Sequence, residues 1–269
     1  MDMPRPSMGG LHHEGQAMES IERNEQASLL SKVDAILRVF QPEKSELPLA
    51  ELARRTGLAK TTVHRITAEL VDLGLLERTE RRYHLGMRLF ELGQLVPAHR
   101  ALRDAALPFM QDLLEATHET VNLAVLDGTD VLYAERIMGH QQVSAPVRVA
   151  SRLPLHCTAL GKVLLAFSPP ELTTRAVAAG LRRRTPYSIV SPAVLYEQLA
   201  QVAARGVAVE YEESAIGIGC AASPVFGPGN RLAAALSVSA PVTRNDPARM
   251  APAVRTASLA LSRALAKAR

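Results

Sequence analysis

The sequence has no tryptophan, and aromatic residues make up only 4% of its 269 positions. Single-stranded nucleic acid is held on stacking platforms of such rings, so this chain is poorly equipped for that class of partner. Cysteine is nearly as scarce, with only Cys157 and Cys220. Two thiols cannot form a disulfide framework for a chain of this length, and a reducing, cytoplasmic setting is the expectation. No apolar run approaches the roughly 18–20 residues of a membrane span, so no membrane partner is expected. The first stretch, Met1 to Ala27, is charged, is broken by Pro4, Pro6, Gly9 and Gly10, and lacks the apolar core of a secretory signal. It reads as a disordered tail, with Met18 a second candidate start. There is no phosphate loop, no dinucleotide fingerprint, and no CxxC or HxxxH spacing, so no cofactor or metal is expected. Net charge is also small, at +4. That total permits a nucleic-acid partner without requiring one, because a modest sum can hide a local basic face.

Apolar residues, in contrast, reach 47%, enough for a real core, and the length fits one large or two ordinary domains. Order is expected from Ser28, which sits where an N-cap belongs. Leu29, Val33, Ile36, Leu37 and Phe40 then form one helical stripe, closed by Pro42. A second short helix starts near Pro48, turns Leu49, Leu52 and Ala53 inward, and ends at Thr56-Gly57. The turn Gly57-Leu58-Ala59 leads to a third helix, Lys60 to about Leu73, with Val63, Ile66, Leu70 and Leu73 on its apolar side. Two short helices joined by a glycine-containing turn describe a helix-turn-helix.

On the third helix, 100° steps put Thr61, His64, Arg65 and Ala68 opposite the apolar stripe, with Lys60, Thr61 and Thr62 at its N-terminal end. In this geometry the first turns of the second helix reach base edges in the major groove, while Lys and hydroxyl groups hold phosphates. Leu75–Arg78 and Arg82–Leu85 read as two strands of a wing, placing Arg78, Arg81 and Arg82 for phosphates or the minor groove. Between Leu49 and Arg88 there are eight cations and five anions, a local excess of +3, whereas the tail through Ala27 carries −3 and masks it. The plainer alternative is a small helical bundle with solvated arginines.

Gly86 to Val96 continues as a linker helix, assigned to 87–97, and Pro97 interrupts it. A longer helix over Ala98–Thr117 contains Pro108, which is expected to kink or split it. Beyond Thr120 the texture changes. Val121–Leu126 and Val131–Arg136 flank Asp127-Gly128 as a hairpin, and Ser144–Val149 reads as another strand. Leu160–Phe167 and Pro192–Arg205 read as helices. Val207–Glu210, Ala221–Phe226 and Leu232–Ser239 read as strands, the last two around Gly227-Pro228-Gly229-Asn230. Asp246–Lys267 is a terminal helix with Pro247 at its first position. A mostly antiparallel sheet with helices packed on it makes an α+β sensor-type domain, not a doubly wound fold.

Two stretches then carry a resemblance. One is Arg152-Leu153-Pro154-Leu155-His156-Cys157-Thr158-Ala159-Leu160-Gly161-Lys162. The other comprises Glu212-Glu213, Ile216 to Phe226, and Ala235-Leu236-Ser237-Val238-Ser239-Ala240-Pro241. Together with Gly57 to Arg65 they resemble the IclR family of bacterial transcriptional regulators, and the likeness runs from about Ser28 to the C-terminus. It implies an N-terminal winged helix-turn-helix (28–86) and a C-terminal GAF-like antiparallel-sheet effector and oligomerisation domain (98–269). It further implies homodimers or homotetramers on palindromic double-stranded operator DNA, and a small organic effector, often a carboxylic acid, tuning repression or activation of a metabolic operon. By the same likeness the effector positions fall on Ala159, Leu160, Glu210, Cys220, Ser237 and Ser239, with Leu153 and Ile218 as apolar walls.

The residues give a rationale. Ala159 and Leu160 open a helix whose amides can face an anion. Ser237 and Ser239 share a parity on one strand, and Cys220 begins its neighbour. This chain also departs from the family pattern. Glu210 stands where a shorter acid is common, Ala240 replaces a frequent glycine, and Ala159 and Leu160 are bulkier than the smallest pairs at that spot. Each position has a plainer reading. The serines could satisfy sheet neighbours, Cys220 could be a small buried hydrophobe, His156 could brace its own loop, and Glu212 and Glu213 could be solvated. Two other classes remain. A thiol-based redox sensor would use Cys157 and Cys220. An enzyme finds little support, since adjacent His156 and Cys157 are not how a nucleophile and its base usually meet, so no catalytic residue is assigned.

Overall fold

The structure, a computed structural model, describes residues 28–41, 44–139 and 147–267. The expected tail over Met1–Ala27, Pro42 and the segment Ser144–Pro146 lie outside those residues. The chain divides into two compact units between Val96 and Pro97.

In the first unit the Ser28 hydroxyl accepts from the Ser31 amide and opens α1 (Leu29–Arg38). Helix α2 (Leu49–Thr56) ends on Gly57 at φ +67°, a left-handed position that glycine adopts without strain. The turn hands over to α3 (Lys60–Asp72). Ile36, Leu52, Leu58, Val63, Ile66 and Leu70 form the core between these helices. Leu73 does not join them. It is the C-cap of α3 and is 55% exposed, while Thr67 fills the inward place, its hydroxyl bonded to the His64 carbonyl. The wing strands β2 (Leu76–Thr79) and β3 (Arg82–Leu85) pair antiparallel. A two-residue strand, β1 (Leu47–Pro48), adds to β3 and is too short for any alternation to show in the sequence. Helix α4 (Met87–Gln94) follows and buries none of its residues.

The second unit opens with α5 (Pro97–Thr117), which runs through Pro108 as one helix, so of the expected kink or split the split does not occur. Proline removes one intrahelical bond there. The buried face of Leu102, Ala106, Met110 and Leu113 holds the helix to the sheet on both sides of it. The hairpin β4 (Thr120–Asp127) and β5 (Asp130–Ile137) turns at Gly128, φ +64°. Then come β6 (Arg152–Pro154), α6 (Ala159–Ala166), α7 (Pro170–Ala178) and α8 (Pro192–Arg205). Strands β7 (Ala208–Tyr211), β8 (Ile218–Phe226) and β9 (Leu232–Pro241) complete a six-stranded antiparallel sheet of order β6-β5-β4-β9-β8-β7. Helix α9 (Pro247–Lys267) closes the chain, its first turn capped by the Asp246 carboxylate on the Ala248 amide.

One face of this sheet packs on α5 and α9 through Val121, Leu123, Ala134, Leu236 and Val238. The other packs on α6, α7 and α8 through Ala124, Val131, Tyr133 and Ala235. This is the α+β arrangement read from the sequence, with a winged helix-turn-helix ahead of an antiparallel sheet. One strand is not where it was read. Val147–Val149 is not part of a strand: the chain turns at Ala150, φ +66°, and β6 takes the place beside β5.

Candidate functional site

Lys60, Thr61, His64 and Arg65 project from α3 into solvent, and Thr62 is half-buried. Their orientation follows from Val63, Ile66 and Leu70, each at most 3% exposed, which fix the helix's rotation. Arg65 has only a loose contact with Glu69 at 3.8 Å, between exposed side chains, which holds it weakly. In the wing, Arg78 stacks over the Tyr83 ring and donates from Nε to the Glu80 carbonyl at 3.2 Å. It braces the turn while Arg81 and Arg82 stand exposed at its tip. Two of the eight cations counted in the sequence are otherwise engaged. Glu51 binds both Arg54 and Arg55, at 2.6 and 2.7 Å, and these bonds hold its carboxyl down to about 2. Of the six that remain, five lie on the α3 face and the wing, and Arg88 lies on α4.

The second unit carries polar rows across the sheet face that meets α6. One row, in register, is Glu210, Cys220 and Ser239, and the next is Ala222, Ser237, Asn122 and Arg136. Asn122 Nδ2 donates to Ser237 Oγ at 3.2 Å and Ser239 Oγ at 3.0 Å, so both hydroxyls act as acceptors toward the amide. Ser239 Oγ also lies 3.1 Å from Cys220 Sγ. A cavity opens beside these groups, lined by Asn122, Tyr133, Arg136, Val147, Leu153, Arg184, Ser214, Ala215, Ile218, Cys220 and Ser239. It is narrow, with a cavity volume of about 30 Å³.

Of the residues expected to bind an effector, Leu153, Ile218, Cys220 and Ser239 line this cavity. Ala159 and Leu160 are buried in the core at the start of α6 instead. The Thr158 hydroxyl already accepts from the Gly161 amide there, at 2.9 Å. Ser237 lies in the Asn122 row without lining the cavity. Glu210 is fully buried and braces a loop, accepting from the Glu213 amide at 2.9 Å and the Ser214 hydroxyl at 3.0 Å. Sequence reasoning passed over Asn122, Tyr133, Arg136, Arg184 and Ser214. Asn122 did leave a signal, as the polar residue inside an apolar strand. Of the residues left open, His156 is buried and bonded to the Arg182 carbonyl at 3.0 Å, bracing the loop before Thr185. Glu213 is not solvated but pairs with Lys162 at 2.7 Å, while Glu212 accepts from the Gly217 amide at 2.7 Å.

Burial pushes the Glu210 carboxyl up to about 7, and the charge of Glu213 adds to the rise. The Glu213 amide and Ser214 hydroxyl work against it. Because the folded value lies above the ordinary 4.5, this group's contribution to stability is fully present below pH 4.5 and is lost as pH rises through about 7. Glu210→Gln should remove that dependence. Denaturant titrations of both proteins across this window should diverge, the wild type losing more stability as pH rises. Parallel curves would show that Glu210 does not titrate there.

Burial also raises both thiols, Cys157 to about 12 and Cys220 well above its ordinary value. A peroxide-sensing cysteine needs the opposite, a readily formed thiolate, so these surroundings do not favour the redox reading. Among the described residues no three His, Cys, Asp or Glu gather as a metal cluster would require. Nor is any described helix long and apolar enough to cross a membrane.

Comparison with known proteins bears on both units. Residues 30–80 match the profile of the IclR helix-turn-helix domain, and residues 94–263 match that of the bacterial transcriptional regulator IclR C-terminal domain. The chain is 35% identical over 236 residues to the HTH-type transcriptional regulator XynR of Escherichia coli (strain K12), covering 86% of this chain and 94% of that one. It is 31% identical over 212 residues to the Pca regulon regulatory protein of Pseudomonas putida, covering 78% and 73%. Among solved structures, an IclR homolog complexed with 4-hydroxybenzoate, from Microbacterium hydrocarbonoxydans, superposes with a TM-score of 0.82 at 31% identity. That match covers 88% of this chain and 99% of the other.

Proposed function

The chain belongs to the IclR family of bacterial transcriptional regulators, with a helix-turn-helix DNA-binding domain, and from that premise we propose that its DNA binding is controlled by a small organic acid held in the second unit. The observation that carries the DNA half is the outward row Lys60, Thr61, His64 and Arg65 on a helix whose other side is locked into the core. These residues enter the major groove, and Arg81 and Arg82 hold flanking phosphates. Two copies on a palindrome would place their α3 helices about 34–36 Å apart. The exposed Met87, Phe90, Leu95 and Val96 in and just beyond α4 favour assembly with a second copy over a lone chain.

The cavity bounded by Leu153, Ile218, Cys220 and Ser239 takes the effector, with Ala159, Leu160, Glu210 and Ser237 supporting it from behind. The solved homologue's complex with 4-hydroxybenzoate supports an aromatic acid as the effector class. Coupling between effector and operator is expected to be about 1–3 kcal/mol and reciprocal. The protein regulates transcription in the cytoplasm and needs no catalytic step.

The DNA half is tested with a duplex selected in vitro by the full-length protein. Arg65→Ala should weaken binding to it by about 10–100-fold. Replacing Arg81 and Arg82 together by alanine should lower the slope of log affinity against log salt by about 2, with little change in sequence preference. Anisotropy titrations at several salt concentrations read both. Unchanged affinity for the Arg65 variant would remove α3 from the groove.

A further inference from the structure

Strand β5 does not alternate regularly. Opposite it, Leu123 faces Glu135 and Ala124 faces Tyr133, so Ala134 is an extra, bulged residue. Ala134 and Glu135 consequently both turn toward α5: Ala134 packs in that core, and Glu135 pairs with Arg103. Tyr133 and Arg136, three residues apart, both end up lining the cavity. A regular strand would have put them on opposite faces.

Arg136 is incompletely partnered where it sits. Its Nη1 donates to the Val147 carbonyl, but its Nε is buried with no hydrogen-bond partner among the described residues. The adjacent acid, Glu135, is occupied on the other face by Arg103. Among the described residues no carboxylate lines the cavity, whereas a second arginine, Arg184, does. The nearby buried acid, Glu210, is taken up by the Glu213 amide and Ser214. Burial draws the Arg136 guanidinium below its ordinary value, the direction expected of a cation lacking an anion. Tyr133, 7% exposed, lines the same cavity. Facing these donors are the apolar walls Leu153 and Ile218.

We propose that Arg136, assisted by Tyr133, is the carboxylate-reading element of this cavity, selecting small monocarboxylates with an apolar body over their neutral counterparts. The proposal rests on the reading of the second unit as an effector domain. An arginine Nε–H and an Nη–H present a fork that suits a carboxylate, and a charge-assisted bond in a narrow site is among the stronger polar contacts. The Tyr133 hydroxyl adds a donor to the same anion. Ser239 and Cys220 remain for a polar substituent elsewhere on the ligand.

The test is calorimetric titration of the full-length protein with benzoate and 4-hydroxybenzoate, and with benzamide and 4-hydroxybenzamide as neutral matches. At least one carboxylate should bind, with its amide about tenfold weaker or worse. Arg136→Met should weaken the carboxylate by about 10–100-fold, Arg136→Lys less, and Tyr133→Phe by a few fold. Operator affinity without ligand should be unchanged in all three variants. If Arg136→Met does not fold, the Arg136→Lys variant and the acid-to-amide ratio on the wild type decide. A carboxylate that binds wild type and Arg136→Met alike overturns the proposal and leaves the effector reading intact. So does a preference for the amides. If none of the four compounds binds, the aromatic-acid effector reading fails, and the Arg136 assignment with it.

Discussion

Lys162→Met is expected to destabilise the second unit by about 3–5 kcal/mol, lowering its melting temperature by roughly 6–20 °C. Lys162 is 1% exposed, and its Nζ donates to Glu213 Oε1 at 2.7 Å, the Val209 carbonyl at 2.9 Å and Gln198 Oε1 at 2.9 Å. One ammonium thereby ties α6 to α8, to β7 and to the loop after it. Methionine fits the space but leaves the Glu213 carboxylate buried without a counter-charge, and Glu213 Oε2 already has no partner among the described residues. An uncompensated buried charge is the expensive outcome, more than the loss of the pair itself. Two further measurements separate these effects. The double variant Lys162→Met, Glu213→Gln should recover much of the loss. The single variant should also be less impaired at acid pH, where Glu213 takes up a proton. Scanning calorimetry checks both, and a single variant that melts with the wild type would show that the pair contributes nothing.

The second large effect is expected from Gly86→Ala. A Cβ at Gly86 would stand 2.1 Å from the Gly74 carbonyl oxygen and 3.0 Å from the Leu75 carbonyl carbon, both main-chain atoms that cannot swing aside. The approach is that close because the Gly86 amide donates to the Leu75 carbonyl at 2.9 Å, stapling the end of the wing to its beginning. The clash should cost about 3 kcal/mol, at the upper end of the overpacking range. A domain of this size has little stability to spare. Specific operator binding should therefore fall to the non-specific level, while titration of the cavity with a carboxylate stays as in the wild type. Gly93→Ala is the control. Nothing lies within 4 Å of its would-be Cβ, so it should be neutral or slightly stabilising. Equal losses for the two variants would show that the close approach at Gly86 is not the cause.

The reader of DNA was legible in the sequence because its determinants are local. The stripe through Val63, Ile66 and Leu70, the left-handed Gly57 and the arginines of the wing each leave a short-range mark. Their outward complement, Lys60 to Arg65, follows by rotation alone. The cavity was only half legible. Ser237 and Ser239 could be aligned by strand parity and Cys220 placed at the start of the neighbouring strand, and Ser239 and Cys220 do meet at 3.1 Å. Arg136 could not, because period-two counting from Tyr133 assigns it to the wrong face, and a bulge depends on partner strands rather than on the residues themselves. Lys162 was hidden for a different reason. A lysine on a short helix reads as solvated until the acid from a loop some fifty residues away is seen beside it. The helix start at Ala159 and Leu160 was legible, whereas its cap, the Thr158 hydroxyl accepting from the Gly161 amide, shows only in the fold.

Glu135 and Arg136 are neighbours of opposite charge, and the bulge at Ala134 decides which of them faces the cavity. With the same residues in a regular strand, Glu135 would look inward and Arg136 would meet α5. The chamber wall would then present an acid in place of a cation. The charge of that wall is in that sense encoded in the hydrogen-bonding phase between two strands. Shifting the phase would reverse it without replacing a single amino acid.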